Sequence, residues 1–119
     1  MNRAPPRQAS MKPIVQQWNI RLQRLVNDIG SKYSDISVFL FDLHSLFEQV
    51  LDDPRSFPQT AHYRNTTNNC NEYGWAMRAD SFQPSCGVPL KEYLWLNELH
   101  PTYPVHEAMA AQIAKALEK

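Results

Sequence analysis

Apolar residues recur at helical spacing in the first third of the chain, and this spacing predicts an amphipathic helix. Ser10 is a suitable N-cap, Pro13 falls in the first turn, and Gly30 is a suitable C-cap residue. A single apolar stripe of this kind is typical of a helix that packs on a hydrophobic core. The stripe consists of Ile14, Val15, Trp18, Leu22, Leu25, Val26 and Ile29.

Two shorter helices are predicted further along the chain. The second helix follows Asp42 and is stopped by Asp52-Asp53-Pro54, while the third begins near Pro104 with Thr102 as its N-cap. Their apolar faces contain Leu43, Leu46, Phe47, Val50 and Leu51 in the second helix, and Val105, Met109, Ile113 and Leu117 in the third.

Two short apolar runs predict strands. Residues 36–41 read Ile-Ser-Val-Phe-Leu-Phe, which is typical of a strand buried on both faces of a parallel sheet. Residues 93–96, Tyr-Leu-Trp-Leu, form the second candidate. The aromatic residues Tyr93 and Trp95 of this run, like Trp18 of the first helix, are predicted to belong to the core.

Helices and strands therefore alternate along the chain, and this order predicts an α/β layered fold with a parallel sheet. Two strands are fewer than the roughly four to six strands of a usual sheet, so the chain resembles half of a domain. We expect residues 1–10 to be a tail or connector and residues 11–119 to form the partial domain. The unsatisfied edges of strand 36–41 would then be open to pairing with another chain.

Composition excludes several classes of partner. Twelve basic residues balance twelve acidic ones, which argues against nucleic acid and against a polybasic membrane anchor. No apolar run approaches the roughly 18 residues of a membrane span. The three glycines lie far apart, so no phosphate-binding glycine loop is present, and no motif indicates a metal or another cofactor. The first residues lack the apolar core of a signal peptide, which leaves the compartment of the chain open.

The long polar loop of residues 54–92 contains both cysteines. Cys70 and Cys86 are predicted to form one disulfide. A zinc site that also uses His100 and His106 is the weaker alternative, because no two of these residues have the usual close spacing of zinc ligands.

The most informative segment is the turn that joins residues 93–96 to the third helix. His100 lies on this turn, where open α/β sheets place their active sites. An acid three positions earlier would orient its imidazole ring, and the histidine would then be suited to act as a general base. Asn97 occupies that position.

The sequence His100-Pro101-Thr102 resembles the last block of the GDSL-type, or SGNH, esterases and lipases. In that block the catalytic histidine follows an aspartate by three residues. The likeness extends at the level of pattern from about residue 11 to residue 119. It implies a partial three-layer α/β/α, flavodoxin-like fold, of which this chain is the C-terminal half with few parallel strands. It also implies hydrolysis of small acyl or carbohydrate esters by a serine enzyme, in a family whose members are often secreted.

Two departures from the family pattern change what the chain can do alone. Asn97 replaces the aspartate; it can bond to an imidazole but cannot offset the imidazolium charge, and a backbone carbonyl is an alternative orienting group. In the serine-protease triad the same exchange costs about 10⁴ in turnover through the wrong histidine tautomer. The Gly-Asp-Ser block with the nucleophilic serine and the blocks with the oxyanion donors are missing. The only Gly-Ser pair, Gly30-Ser31, lies at the end of a predicted helix and not in the context of the family's block.

We therefore expect a C-terminal fragment of an ester hydrolase that retains His100 and Asn97 but is inactive by itself. The alternative is a non-catalytic remnant or interaction module that docks through the exposed edges of strand 36–41.

Overall fold

The computed structural model describes the backbone of residues 4–74, 78 and 80–118, and the side chains of these residues from Ser10 onward. The chain divides into two compact units, an N-terminal unit, Met1–Phe41, and a C-terminal unit, Asp42–Lys119. The protein is mostly helical, with 57% helix and 4% strand. The assignment of residues 1–10 to a tail and of residues 11–119 to one partial domain stays a prediction.

The N-terminal unit contains one long helix, α1, which spans Ala4–Lys32. It contains the predicted helix but begins before Ser10 and continues through Gly30, so neither residue caps it. Pro5 and Pro6 lie in the first turn, where their missing N–H groups have no helical partner to lose, whereas Pro13 lies inside the helix and not in its first turn as predicted. Gly30 does not adopt a positive φ, unlike Gly74 and Gly87. The helix therefore ends without the left-handed glycine cap that the sequence predicts.

The predicted strand at residues 36–41 is wrong. Its backbone has no regular secondary structure and is paired with no other segment among the described residues. Residues 36–40 are exposed as well, with Ile36 at 46% and Phe39 at 44%, and Phe41 is half-buried. An apolar β-rich run becomes a strand only when a neighbour supplies the ladder hydrogen bonds, and no described segment does so.

The predicted α/β fold is wrong for the same reason. The described residues contain no sheet, so neither the parallel sheet nor the partial three-layer, flavodoxin-like SGNH architecture is present. Docking through open strand edges loses its basis, because residues 36–41 do not form a strand. The second candidate, residues 93–96, also lacks a ladder. Tyr93 and Trp95 instead form isolated bridges to Asn65 and Pro101.

The two shorter predicted helices are confirmed in the C-terminal unit. Helix α2 spans Leu43–Asp52, and helix α3 spans Tyr103–Leu117 with Pro104 in its first turn. Asp42 caps α2, since its Oδ1 accepts the Ser45 backbone N–H at 3.0 Å. Hydrogen bonds from the backbone N–H and the side chain of Ser45 lower the pKa of the Asp42 carboxyl group. Short 3₁₀ turns lie between the helices at Pro54–Ser56, Pro58–Thr60, Pro84–Cys86 and Leu90–Glu92.

The core of the C-terminal unit is small and combines aliphatic residues with tyrosines and a disulfide. The predicted disulfide is confirmed, because Cys70 and Cys86 are bonded to each other. Around it pack Tyr73 and Tyr93, whose rings meet edge to face at 6.0 Å between centroids. Tyr93 is buried as predicted, whereas Trp18 of α1 is 68% exposed and does not belong to a core. The largest fully buried side chains among the described residues are Thr60, Val50, Tyr73, Leu94 and Val105.

Candidate functional site

The candidate site is the turn that joins Trp95 to the start of α3. The Leu96 N–H donates to the carbonyl of His100 at 2.9 Å, and the Thr102 N–H donates to the carbonyl of Leu94 at 2.8 Å. These two bonds flank the antiparallel bridge between Trp95 and Pro101. The intervening residues are therefore held in a tight, closed turn.

Asn97 organises this turn through its side-chain oxygen. Its Oδ1 accepts the backbone N–H of Leu99 at 2.9 Å and that of His100 at 2.8 Å. Asparagine commonly stabilises turns in this way, by bonding to the backbone two and three residues ahead. The same oxygen lies 3.0 Å from Nδ1 of the His100 ring. The structure thus brings together the two residues that the sequence singled out, while their catalytic role stays a prediction.

The contact between Asn97 and His100 determines the tautomer of the ring. Two backbone N–H groups point at the same atom of Asn97, so this atom is the amide oxygen and not the nitrogen. An amide oxygen only accepts, so Nδ1 must carry the proton. In the neutral ring the lone pair is then on Nε2, which is the tautomer of a general base. The wrong-tautomer penalty known for an asparagine in the serine-protease triad does not apply to this geometry.

The two site residues differ in their surroundings. His100 is exposed, whereas Asn97 is half-buried and its Nδ2 group is a buried donor with no hydrogen-bond partner among the described residues. Asn97 therefore orients the ring without supplying negative charge. The neighbouring Glu98 is exposed.

A buried hydroxyl network fixes the end of the turn against α3. The Thr102 hydroxyl donates to the carbonyl of Tyr93 at 2.5 Å, so it must accept the Tyr63 hydroxyl, which lies 2.9 Å away. The Tyr63 oxygen in turn accepts the backbone N–H of Val105 at 3.1 Å. Burial raises the pKa of Tyr63 above its usual value. The Tyr63 hydroxyl, from a residue distant in sequence, thus accepts a backbone N–H at the start of α3. Thr102 was predicted to cap this end of the helix.

The segment before the turn is held by Trp95. Its ring stacks on Phe47 of α2 with 6.1 Å between centroids, and its Nε1–H donates to the carbonyl of Thr66 at 3.0 Å. Trp95 is half-buried, so its predicted core role is only partly realised. Together with the hydroxyl network, this contact fixes both ends of the turn that carries His100.

No signal in the sequence alone identified Tyr63 or Phe47 as partners of this turn. The Tyr63 and Thr102 hydroxyls meet across 39 positions of sequence. A tyrosine at such a distance from a helix start has no periodic relation to it, and only the folded chain brings them together.

The other histidines lie apart from this arrangement. His44 faces Glu48 on α2 at 3.7 Å, and His106 is exposed on α3. The zinc alternative fails because the sulfurs of both cysteines are joined in the disulfide and are not thiolate ligands. Among the described residues, no group of three or more histidine, cysteine or acidic side chains is placed to hold a metal ion. In the same part of the chain, none of the helices is long and apolar enough to cross a bilayer.

A separate cleft of about 360 Å³ lies beside the start of α3. Neither Asn97 nor His100 is among the described residues that line it, so it is not the cleft of the candidate base. It is lined by Pro58, Gln59, His62, Lys91, Glu92, Tyr103, Pro104 and Glu107.

Comparison with known protein families, curated proteins and solved structures finds no match to this chain. The likeness to GDSL-type esterases therefore rests on His100-Pro101-Thr102 and its surroundings in the sequence. This likeness supports only a proposal about function.

Proposed function

We propose that this chain supplies the general base of a serine ester hydrolase site, with His100 as the base and Asn97 as the residue that positions it. The supporting observation is the 3.0 Å contact between Asn97 Oδ1 and His100 Nδ1. Because this contact fixes the proton on Nδ1, the Nε2 lone pair is the one that can accept a proton from a nucleophile.

The chemistry requires a nucleophile from outside these 119 residues, since the sequence has no Gly-Asp-Ser block. His100 Nε2 takes the proton of the serine hydroxyl while its oxygen attacks the acyl carbon of the ester. The tetrahedral intermediate then expels the alcohol, which receives that proton, and leaves an acyl-serine. Water attacks the acyl-serine with the same proton transfers and releases the acid. Oxyanion donors must come from the same outside segment.

The neutral charge of the Asn97 side chain determines how effective His100 is expected to be as a base. A neutral amide orients the ring but does not stabilise the imidazolium that forms when Nε2 takes the proton. Hydrogen bonds to charged partners are roughly twice as strong as neutral ones. We therefore expect a slower enzyme than one with aspartate, but with a loss smaller than the wrong-tautomer penalty. Small acyl esters, such as acetyl groups on carbohydrate, are the substrate class that the resemblance suggests.

The test is to co-express the full chain with an N-terminal GDSL-type esterase segment that carries the serine, and to assay hydrolysis of p-nitrophenyl acetate. We expect His100→Ala to abolish the turnover that the chain adds, and Asn97→Ala to reduce it about 10–100-fold. His106→Ala is the matched control, because His106 is also exposed and lies six residues away on α3. The proposal fails if the chain adds no turnover, or if His100→Ala and His106→Ala have equal effects.

A further inference from the structure

Helix α1 carries an apolar seam that follows a heptad rule. Its seam residues are separated alternately by four and three positions, which is the 3.5-residue period of a coiled coil. Ile14 at a g position and Val26 at an e position flank this seam. The seam consists of Met11, Val15, Trp18, Leu22, Leu25 and Ile29.

The seam is exposed along most of its length. Met11, Trp18 and Leu25, which share the d positions of the heptad, are exposed by 52%, 68% and 53%. Val15 at an a position is 48% exposed. From Gln16 to Asn27 the b, c and f positions on the opposite face are polar apart from Ile20, and there Gln23 Nε2 donates to Asn27 Oδ1 at 3.0 Å. An exposed heptad seam on a helix whose opposite face is mostly polar is the pattern of a helix that lacks its partner helix.

We propose that the partner is α1 of a second copy of this chain, and that the two helices form a parallel, in-register coiled coil. Val15 and Ile29 at a positions and Leu25 at a d position favour two parallel strands. This proposal is independent of the proposed function.

The flanking charges favour the parallel orientation. In a parallel pair, Arg21 at a g position faces Val26 of the second copy, so no like charges meet there. In the antiparallel pair with full overlap of the seams, Arg21 faces Arg21 of the second copy. Like charges in these flanking positions are unfavourable, and the shorter overlaps that avoid them bury less of the seam.

The area of the seam sets how tight the dimer is. The exposed apolar side chains of two such helices bury on the order of 1,000 Å² in total, which is the lower bound for a specific interface. We therefore expect a dimer in equilibrium with the monomer, so that the mean mass rises with chain concentration. The monomer mass is 13.8 kDa.

Sedimentation equilibrium of the full chain tests the proposal from micromolar to sub-millimolar concentration. Leu25→Glu places a charge in the seam and should weaken the dimer by about a hundredfold or more. Ile20→Glu is the matched control, since Ile20 is 44% exposed on α1 but lies at an f position outside the seam. It should leave the dimer intact. A monomer at every concentration overturns the proposal, and so does equal loss of association in both variants.

Cross-linking tests the orientation. With Ile29→Cys, a parallel pair brings the two new thiols together and gives a covalent dimer under mild oxidation. In the fully overlapped antiparallel pair the same thiols lie about 27 Å apart along the helix axis and cannot join. There, Ile29→Cys in one copy would instead face Met11→Cys in the other. Efficient cross-linking of only this mixed pair contradicts the parallel arrangement.

Discussion

The two units of this protein carry similar amphipathic patterns and treat them in opposite ways. In the C-terminal unit, α2 buries the centre of its stripe, with Leu46 at 3% and Val50 at 0% exposure, while Leu43 and Leu51 stay 41% and 45% exposed. In the N-terminal unit, α1 leaves Trp18 at 68% and Leu25 at 53%. Periodicity thus identifies the apolar face of a helix but not the surface that covers it. The C-terminal unit covers Leu46 and Val50 of α2, whereas much of the apolar face of α1 is exposed.

The largest expected difference between the units comes from deleting one leucine side chain in each. Leu94 is fully buried, so Leu94→Ala should cost about 2–5 kcal/mol of unfolding free energy through lost burial and the cavity left behind. Leu25→Ala removes the same atoms from an exposed position and should change stability by less than about 0.5 kcal/mol in the monomer. Urea unfolding at low chain concentration measures both. Equal costs would mean that the contrast in packing between the units is wrong.

Removal of the disulfide should have the next largest effect. Cys70 and Cys86 are 16 positions apart, and closure of a loop of that length stabilises the folded state by about 3 kcal/mol in the chain-entropy picture. Replacement of both by serine should therefore lower the urea midpoint of the C-terminal unit. The circular-dichroism signal of α1 at low denaturant should stay unchanged, because α1 lies in the other unit. Loss of the α1 signal would contradict the separation of the two units.

A smaller effect is expected for the tyrosine hydroxyl that caps α3. Tyr63→Phe leaves the Val105 N–H without its acceptor and removes the donor to the Thr102 oxygen, at a cost of about 1–3 kcal/mol. Tyr33→Phe, on a 47% exposed residue, is the matched control and should have no measurable effect.

Tyr63 is also expected to make the stability of the folded protein depend on pH. The pKa of Tyr63 is raised in the folded state, so the folded protein holds this proton more tightly than the unfolded chain. Its contribution to stability is complete below pH 10.0, the ordinary value, and is lost as pH rises through the raised pKa. Tyr63→Phe should remove this part of the alkaline loss of stability. An unchanged alkaline slope in the variant would contradict the assignment.

Local signals in the sequence predicted the parts of the fold that depend on neighbours along the chain. Asp42 and Asp53-Pro54 define the ends of α2, and Thr102 with Pro104 marks the start of α3, because caps and prolines act within a turn or two. The disulfide was also predicted, since only two cysteines are present.

Features that depend on distant partners were not predicted. Residues 36–41 have the composition of a buried strand, but a strand also needs a neighbour, and the described chain does not supply one. At the site, the local spacing of Asn97 and His100 allowed their contact, with a backbone carbonyl as the alternative, and the structure shows the Asn97 contact. The role of Tyr63 depended on an approach across 42 positions to Val105, which no periodic pattern records.

The most direct test of the central claim is the protonation of the His100 ring. Long-range ¹H–¹⁵N correlation spectra of the full chain, at a pH where the ring is neutral, distinguish a proton on Nδ1 from one on Nε2. Contact with Asn97 Oδ1 predicts the proton on Nδ1, and Asn97→Leu should shift it toward Nε2. The His106 ring, which serves as the internal control, should be unaffected by Asn97→Leu. A proton on Nε2 of His100 in the unaltered chain would contradict the claim that Asn97 positions this histidine as a base.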